Sequence, residues 1–272
     1  SYTCAAPLKQ CPTGMNGTVP LGPCSALGVC QYVDGGGEPL PVDVDCIEGV
    51  ACAAECVCSG GYGPDCAMDQ VEYDARQALR LTLLSALVNT STNMQNDPTA
   101  LAQQASFLAL ITSEPEQLSR DSQHVALDFV GSLLSAGSAD SSEVAILQST
   151  ADSCGGTLSS LLDSSLLADQ AAAVATAVAH TGNSTMRRRL LAVAQANSSA
   201  VDAKLAGALK SLSGAQLIGA VQGEAAATVV TKNIKMASRR HTPDAFTSGV
   251  SLSPPLSADE EAAGASSPSF SL

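Results

Sequence analysis

Tryptophan is absent from this 272-residue chain, charged residues make up only 14 % of it, and histidine occurs three times, as His124, His180 and His241. A catalytic or metal set needs carboxylates or further ligands converging on a histidine. Here His124 falls on a helical stretch beside Gln123, His180 at a helix end before Gly182 and His241 in a loop, so all three read as structural. A histidine at a helix C-terminus suits the dipole there. No G-x-S-x-G is present, which leaves a serine nucleophile unsupported. The Gly35-Gly36-Gly37 cluster lacks the strand-to-helix context of a phosphate loop and reads as a flexible loop. Positive charge is scarce: 13 Lys and Arg against 26 Asp and Glu give a formal net charge of −13, so no nucleic-acid partner is expected. Arg187-Arg188-Arg189 reads as a solvated run rather than a processing site or anion contact. Lys204, Lys210 and Glu224 interrupt the longest apolar candidate, so no membrane span is expected within the chain. The opening Ser-Tyr-Thr-Cys reads as the start of a trimmed or excised fragment.

What the chain does have is cysteine, unevenly placed. Nine of the ten, Cys4, Cys11, Cys24, Cys30, Cys46, Cys52, Cys56, Cys58 and Cys66, precede residue 67, and Cys154 stands alone. Dense cysteines among glycines and prolines mean a disulfide framework or a metal site. Zinc favours paired short knuckles, and the one such spacing is Cys52 to Cys56, with no histidine before residue 124. Disulfides are therefore expected, and with them an oxidising compartment. Four Asn-x-Ser/Thr sequons, at Asn16, Asn89, Asn183 and Asn197, point the same way, to glycosylated exposed loops. No metal or other cofactor is expected.

Along the chain, residues 1–68 form a loop-rich module too poor in apolar residues for a core of its own. Each covalent staple contributes about 2–4 kcal/mol by restricting the unfolded chain. From Asp69 the period becomes helical over residues 69–223. A stripe of Ala75, Leu79, Leu83, Ala86 and Leu87 comes after the Asp69 cap, and Asn89 to Asn96 is a polar break. Asp97-Pro98 starts a helix through Leu101, Ala105, Leu108 and Ile111 that Glu114-Pro115 ends. The next carries Ala126, Phe129, Val130, Leu133 and Leu134 and stops at Gly137. A capping box at Asp140 to Glu143 precedes Val144, Ile146 and Leu147. Gly155-Gly156 kinks or breaks the next helical stretch, which resumes through Leu158, Leu161, Leu162 and Leu166 to Gly182. Two more helices carry Val201, Leu205, Leu209 and Leu212, then Leu217, Ile218 and Val221. The expected architecture is mainly α: an antiparallel array of five to seven helices behind the stapled module. Residues 224–252 hold a strand signature from Thr228 to Ser238, with Val230, Ile234 and Met236 on one face. Residues 253–272 read as a linker or disordered tail.

Two resemblances give these segments a context. Cys24-Ser-Ala-Leu-Gly-Val-Cys30, Cys56-Val-Cys58 and Gly61-Tyr62-Gly63-Pro64-Asp65-Cys66 resemble an EGF-like module, with a last loop one residue shorter than usual and a long insertion. The resemblance implies Cys24–Cys56 and Cys58–Cys66 disulfides, with Cys30 bonded to Cys11 or Cys4. Cys46 and Cys52 lie in the insertion and would close on each other. With Cys30 given to Cys11, Cys4 is left for Cys154, a cross-link that would spare both a lone thiol; the alternative is a buried free thiol at Cys154, with the odd N-terminal cysteine bonded to a partner outside the fragment. The acidic and amide residues of the calcium-binding variety are missing, so no calcium is expected. Leu108 to Leu134 and Leu217 to Arg240 resemble the juxtamembrane extracellular region of polycystin-like and receptor-for-egg-jelly-like proteins, where helices lead into the β-sandwich of a GAIN domain. The cleavage motif of that domain, with paired Cys and Trp, is not in this chain.

These resemblances imply a non-enzymatic extracellular part of a cell-surface protein, with a protein or glycan ligand and a membrane-anchored parent. The alternative is a secreted, wall- or matrix-associated structural protein whose EGF-like module mediates assembly. An enzyme has no nominated cluster of titratable groups.

Overall fold

The computed structural model describes residues 7–16, 18–34, 39–41, 44–48, 50, 52–92, 97–136, 147–178, 184–218, 220–241, 251–252, 255–256 and 270–271, with the side chains of Asn16, 167–200, 251–252 and 270–271 excepted. Gly35 to Gly37, Asp140 to Glu143, Val144, Ile146, His180, Asn183 and most of the 253–272 tail lie outside the described residues. The chain divides into two units, Ser1–Gln77 and Ala78–Leu272, so the division falls inside a helix rather than at residue 68.

The first unit is made of hairpins. β1 (Thr13–Asn16) pairs antiparallel with β2 (Val19–Pro23), with an irregularity between Thr13 and Met15. β3 (Gly28–Asp34) and β4 (Cys52–Cys58) pair antiparallel in unbroken register from Gly28 opposite Cys58 to Asp34 opposite Cys52. Disulfides join Cys11–Cys30, Cys24–Cys56, Cys46–Cys52 and Cys58–Cys66. The unit's interior is largely sulfur: Cys11, Cys24, Cys46, Cys52 and Cys66 are buried, with Val33 and Met68. Between β2 and β3 the backbone is left-handed at three successive non-glycine residues, Cys24, Ser25 and Ala26. Such residues cost about 1–2 kcal/mol each. The Cys24–Cys56 bridge, the Cys24 amide bonded to the Pro12 carbonyl and the Ser25 hydroxyl accepting from the Gly14 amide hold the turn in place.

Helix α1 (Gln70–Ser91) begins where Asp69 Oδ1 accepts from the Glu72 amide at 2.8 Å, and it runs through Asn89, so the polar break starts later than expected. Its expected apolar stripe is corrected. Leu79 is 57 % exposed and Leu83 is exposed, whereas Leu84 is fully buried. Leucines surround this helix, and Arg80 settles which face turns inward. Its guanidinium donates to Gln117 Oε1 and to the Ile111 carbonyl at the end of the next helix. Residues spaced from it by four, seven and eight, namely Leu84, Leu87 and Val88, then meet the core.

The second unit continues with α2 (Pro98–Ile111), α3 (Arg120–Ala136), α4 (Gln148–Val178) and α5 (Ser184–Ile218). Asp97 caps α2 through the Thr99 and Ala100 amides, and Ser119 caps α3 through the Ser122 amide. One aliphatic core joins all five helices through Leu84, Leu101, Leu108, Val130, Leu158 and Leu212, among others. Leu217 and Ile218 close α5 rather than forming a separate helix, and Val221 lies beyond it, exposed.

Two further corrections are linked. Gly155-Gly156 does not break α4, and the expected single strand is a hairpin of β5 (Ala227–Val230) and β6 (Lys235–Ser238). A Cβ on Gly155 would stand 2.3 Å from Val229 Cγ1, so the glycine is where the hairpin sinks into the helix. Val229, rather than Val230, is the buried member, with Ile234 beside it. Asn233 anchors the turn to α4: its side-chain amide donates to the Ser159 carbonyl, the Ser159 hydroxyl and Asp163 Oδ1. The hairpin is two-stranded and gains no further strand among the described residues. In the tail, β7 (Ser251–Leu252) and β8 (Phe270–Ser271) pair antiparallel. No helix among the described residues is long and apolar enough to cross a membrane.

Candidate interaction site

In the β3–β4 ladder side chains alternate between two faces. Cys30 stands opposite Cys56, and both are drawn into disulfides with β1-side partners, Cys11 and Cys24. Cys58 shares that face and bonds Cys66. Val57 lies between two cysteines on one strand and Val29 precedes a third on the other, so both point to the opposite face. They are directly paired across the strands, 68 % and 52 % exposed for Val29 and Val57. The next rung on that face is Gln31 opposite Glu55, with Glu55 exposed. Leu27, just before β3, is also exposed. At the far end Val33 is covered where Pro39 bridges back to it. The sequence carried a readable signal for this surface: the residue inside a Cys-x-Cys on a strand must face away from the sulfurs. The pairing of Val57 with Val29 was not readable without the register.

The surrounding field is anionic. Residues 1–77 hold ten carboxylate side chains against Lys9 and Arg76. Lys9 Nζ donates to the Val50 and Cys52 carbonyls, and Arg76 pairs with Glu72 one helical turn away. Both cations are thus committed within the unit. The loop after β4 is fixed by Gly63, whose positive φ of 87° puts the backbone where an L residue is strained. Tyr62 exchanges backbone hydrogen bonds with Met68, stacks on Tyr73 with ring centroids 4.4 Å apart, and donates its hydroxyl to Gln70. In the helical unit, an open depression of about 440 Å³ is lined by Thr99, Ala102, Gln103, Ser106, Phe107 and Leu147.

The expected Cys4–Cys154 cross-link is corrected: Cys154 is a free thiol with no exposed surface, packed in the helical core, and Cys4 lies outside the described residues. Burial pushes that thiol up to about 12, so it is neither a nucleophile nor a ligand at neutral pH. Of the two partners left open for Cys30, the structure uses Cys11. The sulfurs of Cys11, Cys24 and Cys56 lie within 4.8 Å of one another, a metal-like cluster, but all three are oxidised in disulfides and offer no thiolate. His124 lies half-buried on α3 and His241 half-buried after β6. Asn89 is exposed in the last turns of α1, Asn16 ends β1, and Asn197 lies on α5. The Arg187 to Arg189 run is helical, in the first turns of α5.

No family model, curated protein or solved structure matches this chain.

Proposed function

We propose that this chain is a non-enzymatic extracellular part of a larger, polycystin-like cell-surface protein. In this reading an EGF-like unit makes protein or glycan contacts, and the helices serve as a spacer near the membrane. The observation that carries it is the set of four disulfides in the first unit, whose interior is built of their sulfurs. Such bonds persist in oxidising compartments and are reduced in the cytosol. The face opposite the sulfurs adds support, because Val29 and Val57 stand side by side in solvent there. The sequons at Asn16, Asn89, Asn183 and Asn197 belong to the same reading as glycan attachment sites.

The test is to stain intact cells that make the full-length protein with an antibody raised to the first unit. Staining without permeabilisation, together with a mobility shift on glycosidase treatment, is the expected result. Protein found only in the medium would favour the secreted, matrix-associated alternative. Staining that requires permeabilisation would overturn the extracellular assignment altogether.

A further inference from the structure

We infer that the Val29–Val57 face of the β3–β4 hairpin docks an extended, cationic segment of another protein, with apolar side chains seated on the two valines and a lysine or arginine meeting Glu55. This deepens the proposed function by naming the partner's chemistry, and it rests on that reading for the partner's access.

All of the hairpin's cystine bonding is on the other face, so the Val29–Val57 rung stands outside the unit's stapled interior. A Val–Val pair in an antiparallel ladder is an apolar step that a covering chain removes from water. Leu27 extends it at one end and Gln31–Glu55 gives it a polar, acidic border at the other. An apolar centre with a charged rim is the usual anatomy of a protein contact.

Charge then selects the occupant. With ten carboxylates against two cations in residues 1–77, and both cations already engaged inside the unit, the face lies in a negative field. A second copy would bring the same surplus and be repelled, and anionic lipid or nucleic acid would be excluded in the same way. A partner with an apolar residue at i and a basic residue at i+2 matches both the valine rung and the Gln31–Glu55 rung, because an extended chain presents i and i+2 on one face.

The experiment uses the purified, oxidised chain and two short synthetic peptides that share a lysine at every fourth residue, one with leucine and one with serine two residues before each lysine. The expected result is binding of the leucine–lysine peptide at least about tenfold tighter than the serine–lysine peptide. Val29→Ser with Val57→Ser should weaken it by about tenfold. Glu55→Gln should flatten its salt dependence. Met15→Ser with Val19→Ser, on the other hairpin, should change nothing. Disulfide mapping of each variant confirms that the hairpin is intact, and these are exposed positions. The inference is overturned if the leucine–lysine peptide fails to bind, if both peptides bind equally, or if the Val29/Val57 variant binds as well as the parent. Because binding is read on the purified chain, its failure leaves the cell-surface assignment standing, and failure of the surface staining leaves a binding result standing.

Discussion

The two units of this chain reach order by different chemistry. In Ser1–Gln77 the buried residues are mostly half-cystines, the strands are short, and a run of left-handed residues is tolerated at Cys24 to Ala26. In Ala78–Leu272 one core of leucine, valine and alanine spans five helices and a hairpin, and its single cysteine is an ordinary buried side chain. A chain without tryptophan and with 3 % aromatics fills volume with small residues where length allows. Where length is short it substitutes covalent bonds. The contrast also says where partners should be sought. A stapled unit can leave apolar residues such as Val29 and Val57 in water because its stability does not depend on burying them.

Breaking one staple should have the largest effect, and only on one side. Cys24→Ser with Cys56→Ser should destabilise the first unit by about 2–5 kcal/mol. Limited proteolysis should then cut residues 1–77 early, while the far-ultraviolet helical signal from the second unit stays. Leu158→Ala should cost about 2–5 kcal/mol in the opposite unit, since Leu158 is fully buried in its core. Thermal unfolding would show the helical transition lowered and the four disulfides unchanged.

Gly155→Ala sharpens the picture of how the hairpin seats. In an open helix this change gains up to about 1 kcal/mol. Here it should cost about 1–3 kcal/mol, because the added methyl meets Val229. Val229→Ala in the same chain should recover part of the loss, which a double-mutant cycle would measure.

Glu116→Gln should have the smallest effect. Burial raises the Glu116 carboxyl above its ordinary value, with Glu114 adding to the shift while a backbone hydrogen bond and Arg80 oppose it. The folded state therefore holds this proton more tightly than the unfolded chain. Stability falls as pH rises through the interval between the unfolded and folded values and stays lowered above it. The glutamine variant should be slightly more stable than the parent at neutral pH and indistinguishable from it in acid, as read from denaturant midpoints at the two pH values.

Local capping was readable from the chain. Asp69 and Asp97 each accept the amide hydrogen bonds that their positions imply. The stripe of α3 was readable too, and so was the inner stripe of α2 (Leu101, Ala105 and Leu108 are buried), although Phe107 and Leu110 stand exposed on that helix. The stripe of α1 was not, since its leucines point all round and the choice was made by Arg80 reaching Gln117 and Ile111 in another element. The continuity of α4 through Gly155-Gly156 and the turn at Asn233 share one cause: a long-range contact that neither segment shows alone. Cys154 misled because cysteine parity treats every sulfur as a cross-linker, whereas this one is enclosed among helix side chains. For the interaction face, Cys56-Val57-Cys58 showed that a residue must point outward, but only the β3–β4 register placed Val29 beside it.

Covalent bonds thus order the first unit, and aliphatic packing orders the second. The most direct test of that division is hydrogen exchange read by mass spectrometry, before and after full reduction of the intact chain under native conditions. Reduction should bring the amides of β3 and β4 to rapid exchange while those of α3 and the inner turns of α4 keep their protection. Equal protection of β3 and β4 with and without reductant, or loss of protection in both units together, would contradict it.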